Sequence, residues 1–147
     1  MNFKDVEIDK IKLYITSNKL NNSLATYIKI GYDINKTKFI IQTPKLKVGY
    51  SAKKFESNGR YNYCYSLNLE DNDDFINFLL DCEKYIITKI DEMKQNEIIK
   101  NKNKMEFFSS LYNPQNSDDI YFKIKLLTDK NNDILTKIHL INRDVST

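Results

Sequence analysis

Basic and aromatic side chains are concentrated between residues 38 and 65. This segment holds six basic residues and one acidic residue, Glu56, whereas the whole chain has a formal net charge of +3. A local excess of positive charge attracts polyanions. Aromatic rings beside lysines offer faces on which unpaired bases stack, each stacked base contributing about 1–3 kcal/mol. Both groups that hold single-stranded nucleic acid are therefore present, although a solvated face of lysines needs no ligand.

The candidate binding residues fall into a basic and an aromatic set. The basic set is Lys38, Lys45, Lys47, Lys53, Lys54 and Arg60. The aromatic set flanks the bend at Gly49 and the turn at 56–60, and consists of Tyr50, Phe55 and Tyr61. Tyr63 and Tyr65 share strand parity with the leucines that follow them, which favours a place in the core. A binding surface requires the basic groups to lie beside accessible rings in one trough.

Residues that commonly carry catalysis are sparse. Only three glycines are present, and none lies in a phosphate-loop frame. The single histidine, His139, falls in a strand pattern as a surface residue. Asp71, Asp73 and Asp74 could hold a metal ion, but acids that open a helix are explained by capping and by the helix dipole. We therefore predict no enzymatic activity, no cofactor and no bound metal.

Length and cysteine usage indicate the class of protein. A chain of 147 residues, 41% of them hydrophobic, predicts one folded domain. Cys64 and Cys82 lack metal-binding spacing and are expected to be reduced thiols in a cytosolic compartment. No apolar run has the length of a signal peptide or a membrane span. We expect an intracellular protein without a membrane partner.

The elements that must position the candidate residues follow from periodicity. Alternation of apolar and polar residues predicts strands at 6–15, 27–33, 38–43, 61–69, 105–112, 118–129 and 134–141. An extended segment after Pro44 would place Lys45 and Lys47 on one face. Turns are predicted at 34–37 and 56–60.

One helix interrupts the strands. Apolar residues recur at intervals of three and four over residues 72–94, which predicts an amphipathic helix of about six turns with Asp71 or Asn72 as its cap. Residues 95–104 are polar and basic and are expected to form a mobile connector. This order of elements favours a mainly β (α+β) fold, a sandwich or, preferably, a small antiparallel barrel with one long inserted helix.

Three successive segments carry a resemblance to a known family: FIIQTPKLKVGYSAKKF, YNYCYSLNLE and the acid-opened helix DNDDFINFLLDCEKYIITKIDE. They resemble the single-stranded-DNA-binding proteins of nucleocytoplasmic large DNA viruses and, more distantly, the OB-fold helix-destabilising protein of podoviral phages. The residues that match the family pattern are Gln42, Thr43, Pro44, Lys45, Lys47, Gly49 and Tyr50. FFSSLY and IYFKIKL are similar to its downstream strands, so the resemblance covers roughly residues 27–141.

The resemblance implies an OB-like barrel that binds single-stranded DNA without base preference during viral DNA replication, recombination or repair. It also implies a place in the host cytoplasm or a viral factory. Family members continue with further strands beyond the point where this chain ends. We therefore expect a domain spanning 1–147 that lacks its last strands or is completed by a partner chain.

Two other functions fit the residues. A protein-interaction or oligomerisation module would use helix 72–94 or open strand edges, and the same surfaces would join copies of this chain into a homo-oligomer. A nuclease would use the aspartates at 71–74 with a divalent metal. RNA is an alternative ligand to DNA, because the 2′-hydroxyl is read by individual contacts that no sequence pattern exposes.

Overall fold

The computed structural model describes residues 1–16, 27–33, 37–57, 59–96, 106–113 and 118–136. Two compact units are present: unit 1 is Met1–Lys45 with Asp71–Ser109, and unit 2 is Leu46–Glu70 with Ser110–Thr147. The described residues contain two antiparallel sheets and one long helix, which confirms the α+β class.

Unit 1 contains a three-stranded antiparallel sheet in the order β1-β2-β3. Its strands are β1 (Ile11–Thr16), β2 (Tyr27–Tyr32) and β3 (Thr37–Lys38). Two 3₁₀ turns, Phe3–Asp5 and Ile8–Lys10, precede β1. The predicted strand at 6–15 is therefore wrong for its first part, because the Lys10 N–H bonds the Glu7 carbonyl at 3.0 Å instead of a neighbouring strand.

The predicted strand at 38–43 is also shorter in the structure. β3 ends at Lys38, and the ring of Phe39 stacks on Tyr32 with 5.8 Å between centroids. Further along, the Gln42 N–H bonds the Met1 carbonyl at 2.7 Å, and the Gln42 carbonyl accepts from the Phe3 N–H at 3.2 Å. The backbone after Phe39 therefore pairs with the N-terminal segment rather than with β2.

The helix α1 (Asp73–Gln95) confirms the predicted helix at 72–94. Asn72 is its N-cap residue, but the hydrogen bond that caps the first turn comes from Asp74, whose Oδ1 accepts from the Phe75 N–H at 2.9 Å. Phe75 is completely buried and packs edge-on against Phe3 with 5.0 Å between ring centroids. Among the described residues there is no helix with the length and apolarity needed to cross a bilayer.

Unit 2 contains a four-stranded antiparallel sheet in the order β4-β5-β7-β6. Its strands are β4 (Lys47–Ser57), β5 (Arg60–Asn68), β6 (Leu111–Tyr112) and β7 (Tyr121–Leu126). The long hairpin of β4 and β5 turns at Gly59, whose φ of 77° suits a residue without Cβ. The predicted turn at 56–60 and the predicted strand at 61–69 are both confirmed.

The remaining predicted strands are only partly formed. Of the predicted strand at 105–112, only Leu111–Tyr112 form a strand (β6), and the described residues 106–110 do not; of 118–129 the central residues form β7. Ile134 makes an isolated bridge with Thr128, while residues 137–141 and His139 lie outside the described residues. The strands described form two open sheets with edge strands β1, β3, β4 and β6, so a closed barrel, which has no edges, is not formed by them.

Candidate nucleic-acid interface

The unit 2 sheet has two chemically different faces, which β5 defines by alternation. Residues that lie directly opposite each other on neighbouring strands share a face. We name the face of Arg60, Asn62, Cys64, Ser66 and Asn68 the polar face, and the face of Tyr61, Tyr63, Tyr65 and Leu67 the apolar face. The register of the sheet then assigns residues of β4, β6 and β7 to one face or the other.

The apolar face continues from β5 onto β7. Leu67, Tyr65 and Tyr63 pair with Phe122, Ile124 and Leu126 respectively. Leu126 is buried, and the two tyrosines are half-buried. Strand parity favours a core position for Tyr63 and Tyr65, and each of them has an apolar partner on β7.

Two β-bulges decide which residues of β4 belong to the polar face. In a regular strand, residues three apart point to opposite faces, which would separate Lys47 from Tyr50 and Tyr50 from Lys53. A register shift lies in each of these two intervals, and each shift inserts one extra residue. As a result, Lys47, Tyr50 and Lys53 all pair with polar-face residues, namely Asn68, Ser66 and Cys64. Phe55 pairs with Asn62 and has the same parity.

The structure does not bring all nine predicted residues onto one surface. Lys54 pairs with Tyr63, so it belongs to the apolar face together with Tyr61. Its ammonium group lies 3.7 Å from the centre of the Tyr61 ring, a cation–π contact. Lys38 and Lys45 are exposed and belong to unit 1. Within unit 2, the strand register groups the positions of Lys47, Tyr50, Lys53, Phe55 and Arg60 on the polar face.

Two exposed lysines of β7 share the polar face and were not among the predicted residues. Lys123 pairs with Ser66 and Lys125 pairs with Cys64, in the middle of the sheet. The signal was present in the sequence, because both lysines alternate with the apolar residues Phe122 and Ile124. Counting charges along the chain misses them, since nearby aspartates cancel the local excess.

The polar face is basic. Its strand positions include Lys47, Lys53, Arg60, Lys123 and Lys125, and no acidic residue occupies a polar-face position in these four described strands. Just after β5, Glu70 pairs with Lys47 at 3.6 Å, and both side chains are more than half exposed. Such a pair contributes little in water. Neither β7 lysine forms an ion pair with another described residue.

Tyrosine rings lie beside these lysines at one end of the sheet. Tyr112 of β6 pairs with Tyr121 of β7, and their ring centroids are 5.8 Å apart. The hydroxyls of Tyr112 and Ser66 are hydrogen-bonded at 2.5 Å. The ammonium group of Lys123 lies 5.0 Å from the centre of the Tyr112 ring. Tyr121 is buried, whereas Tyr112 is half-buried.

Gly49 permits the position of the Tyr121 ring. A Cβ atom at Gly49 would collide with Cε1 of Tyr121 and lie 2.9 Å from its Cδ1. We expect Gly49→Ala to lower the free energy of unfolding by about 1–3 kcal/mol, as overpacking does elsewhere. Urea denaturation measures this loss. Adding Tyr121→Leu to Gly49→Ala should recover part of it, and an unchanged denaturation midpoint in Gly49→Ala would contradict the packing.

A comparison of the chain with protein-family models, curated proteins and solved structures finds no match. Function must therefore be argued from the site itself.

The acidic residues at the start of α1 have structural roles. Asp74 forms an ion pair with Lys4 at 3.7 Å, in addition to capping Phe75. Asp71 has a φ of 61°, a conformation that aspartate tolerates better than most residues. Within the part of the chain that the structure describes, no group of three or more His, Cys, Asp or Glu side chains could hold a metal ion.

The two free thiols differ in environment. Cys64 is half-buried on the polar face, where Lys53 and Lys125 are its neighbours on the adjacent strands. Cys82 is buried in α1, and burial, with smaller contributions from Asp81 and Glu83, raises its pKa to about 11. Because the thiolate is the reactive form, Cys82 is a poor nucleophile near neutral pH. The thiol on the polar face can therefore be labelled in preference to the other.

Proposed function

We propose that the protein binds single-stranded DNA, without reading its bases, through the polar face of the unit 2 sheet. The observation that carries this proposal is the alignment of basic residues from three strands on one face. Lys47, Lys123 and Lys125 are exposed, and Lys53 and Arg60 occupy positions of the same parity. Phosphates are the natural partners of such a surface.

The tyrosines favour an unpaired strand as the ligand. A duplex keeps its bases stacked inside, so rings on the surface of a sheet cannot reach their faces. In a single strand each base offers a π-face, and stacking on Tyr112 would not depend on which base it is. Phosphate contacts add affinity without sequence information. The polar face thus fits a binding mode that tolerates any sequence.

The biological setting is the part of the proposal that the family resemblance supports. It suggests viral DNA replication, recombination or repair, in the host cytoplasm or a viral factory, and an OB-like arrangement of the strands. The antiparallel β4-β5 hairpin followed by α1 is compatible with that element order. RNA binding is the alternative for the ligand, and the titration below distinguishes the two.

Fluorescence anisotropy with labelled oligo-dT tests the proposal directly. We expect binding at low salt that weakens as salt rises, with a slope of log affinity against log salt of about 0.7 per phosphate contact and at most about 3.5 for five contacts. Single-stranded RNA and a duplex of the same length serve as competitors. Failure to bind any of the three ligands at low salt would refute the function.

Alkylation of the two cysteines locates the interface in the same complex. Saturating oligo-dT should slow the reaction of iodoacetamide with Cys64, because the polar face is then covered. Cys82 is the internal control, since its burial and raised pKa make its slow reaction independent of the polar face. Equal Cys64 labelling with and without bound oligonucleotide would place the interface elsewhere.

Protein interaction is a second candidate function, and one observation in unit 1 favours it. Phe108 is 80% exposed, and Phe107 lines a cavity of about 190 Å³ with Ile87 and Ile90 of α1. Exposed aromatic residues next to an apolar cavity are typical of docking surfaces. If protein interaction were the only function, oligo-dT would not bind and the fluorescence anisotropy would not change.

A further inference from the structure

We propose that Tyr112 is the base-stacking platform of the polar face and that Lys123 holds the phosphate next to the stacked base. This inference rests on the proposed function and goes beyond it by naming the pair of residues that recognises one nucleotide. Neither residue belongs to the basic and aromatic segment at 38–65, and the two meet only because β6 and β7 are paired.

The ring of Tyr112 is held in place before any ligand arrives. One end is fixed by the hydrogen bond between its hydroxyl and Ser66, and one side is packed against Tyr121. A side chain that is already ordered loses little conformational entropy when it binds, so more of the stacking energy appears as affinity. Tyr112 also lies on β6, one of the two edge strands of the described sheet, and is half-buried.

Lys123 supplies the charge at the right place. Its ammonium group is 5.0 Å from the centre of the Tyr112 ring, and its side chain is exposed. A nucleotide carries its base and its phosphate at neighbouring points, so a ring and an ammonium group this close can engage both. The cation–π contact keeps the lysine near the ring in the free protein.

The other tyrosines of unit 2 whose side chains the structure describes fit this role less well. Tyr121 occupies a polar-face position but is buried, and its ring lies against Gly49. Tyr61, Tyr63 and Tyr65 belong to the apolar face. Among the tyrosine side chains that the structure describes in unit 2, Tyr112 combines a polar-face position, partial exposure and a neighbouring exposed lysine.

The test compares oligo-dT with an abasic oligonucleotide of the same length, which keeps the phosphates and lacks the bases. Tyr112→Leu should weaken oligo-dT binding by roughly 5- to 150-fold, the range for one stacked base, and leave abasic binding unchanged. Lys123→Gln should weaken both ligands and lower the salt slope by about 0.7. Tyr112→Phe keeps the ring and should retain most of the affinity lost in Tyr112→Leu.

The outcomes distinguish the stacking role of Tyr112 from the proposed binding of single-stranded DNA. An equal loss on both ligands in Tyr112→Leu overturns the stacking role while the wild-type protein still binds. Absence of wild-type binding to both ligands overturns the function as well.

If the Tyr112→Leu protein does not fold, photocrosslinking of the wild-type protein to an oligonucleotide that contains 5-iododeoxyuridine takes the place of the variant. Crosslinks in the peptide containing Tyr112 support the role, and crosslinks confined to other peptides reject it.

Discussion

Reversal of both β7 charges, Lys123→Glu with Lys125→Glu, should weaken oligo-dT binding by roughly 100-fold or more at low salt, because phosphate contacts are replaced by like-charge repulsion. Both side chains are exposed in the middle of the polar face, opposite Ser66 and Cys64. Folding should be retained, since exposed positions without ion-pair partners among the described residues usually change stability by no more than about 0.5 kcal/mol. Anisotropy at several salt concentrations, with circular dichroism as a check on folding, measures both quantities.

A control variant separates the polar face from net charge. Lys12→Glu with Lys29→Glu changes the formal net charge by the same amount, and both lysines are exposed on the unit 1 sheet. If the polar face is the contact surface, these charges lie outside it and are screened, with a Debye length of about 10 Å at 0.1 M salt, so we expect no more than about a 3-fold change. Similar losses in the two double variants would show that binding follows overall charge rather than the polar face.

The sequence predicted the elements whose periodicity is long and unbroken. β5 alternates over its whole length, and α1 repeats apolar residues at three and four with acids in its first turn. Both were predicted to within two residues at their ends, because local pattern and tertiary environment agree there. The turn at Gly59 was also predicted from local sequence, since the residues of the turn themselves determine its backbone conformation.

The candidate site could be predicted only in part, because β4 is irregular. Parity assigns residues to faces only while the strand stays regular, and the two bulges of β4 change the assignment twice. The bulges bring Tyr50 to the side of Lys47 and Lys53, whereas Lys54 lies on the other face with Tyr61. In a strand that mixes lysines with aromatic residues, polar and apolar residues do not alternate regularly, so a bulge cannot be recognised from the sequence.

Long-range pairing explains the remaining differences. Residues 39–43 alternate well enough for a strand, but Gln42 bonds to the N-terminal segment, about forty residues earlier in the chain. Lys123 and Lys125 become part of the candidate site only because β7 lies beside β5. Partners so distant in sequence are chosen by the tertiary structure, so neither fact follows from a local pattern.

The largest expected loss of stability comes from Phe75→Ala. Phe75 is completely buried in unit 1, edge-on to Phe3 and with its ring centroid 6.1 Å from that of Phe78. Removing a buried ring leaves a cavity, and such substitutions cost about 3–5 kcal/mol. Since whole domains are stable by only about 5–15 kcal/mol, we expect a large downward shift of the urea midpoint and of the melting temperature.

Two further variants show whether the loss comes from the cavity. Phe75→Leu keeps most of the apolar volume and should cost clearly less than Phe75→Ala, because the cavity is smaller. Phe108→Ala removes the same kind of ring from a side chain that is 80% exposed, and surface changes of this type stay within about 0.5 kcal/mol. Equal losses for Phe75→Ala and Phe108→Ala would contradict the buried position of Phe75. A loss confined to Phe75 variants would show that the aromatic cluster of Phe3, Phe75 and Phe78 stabilises the first turns of α1.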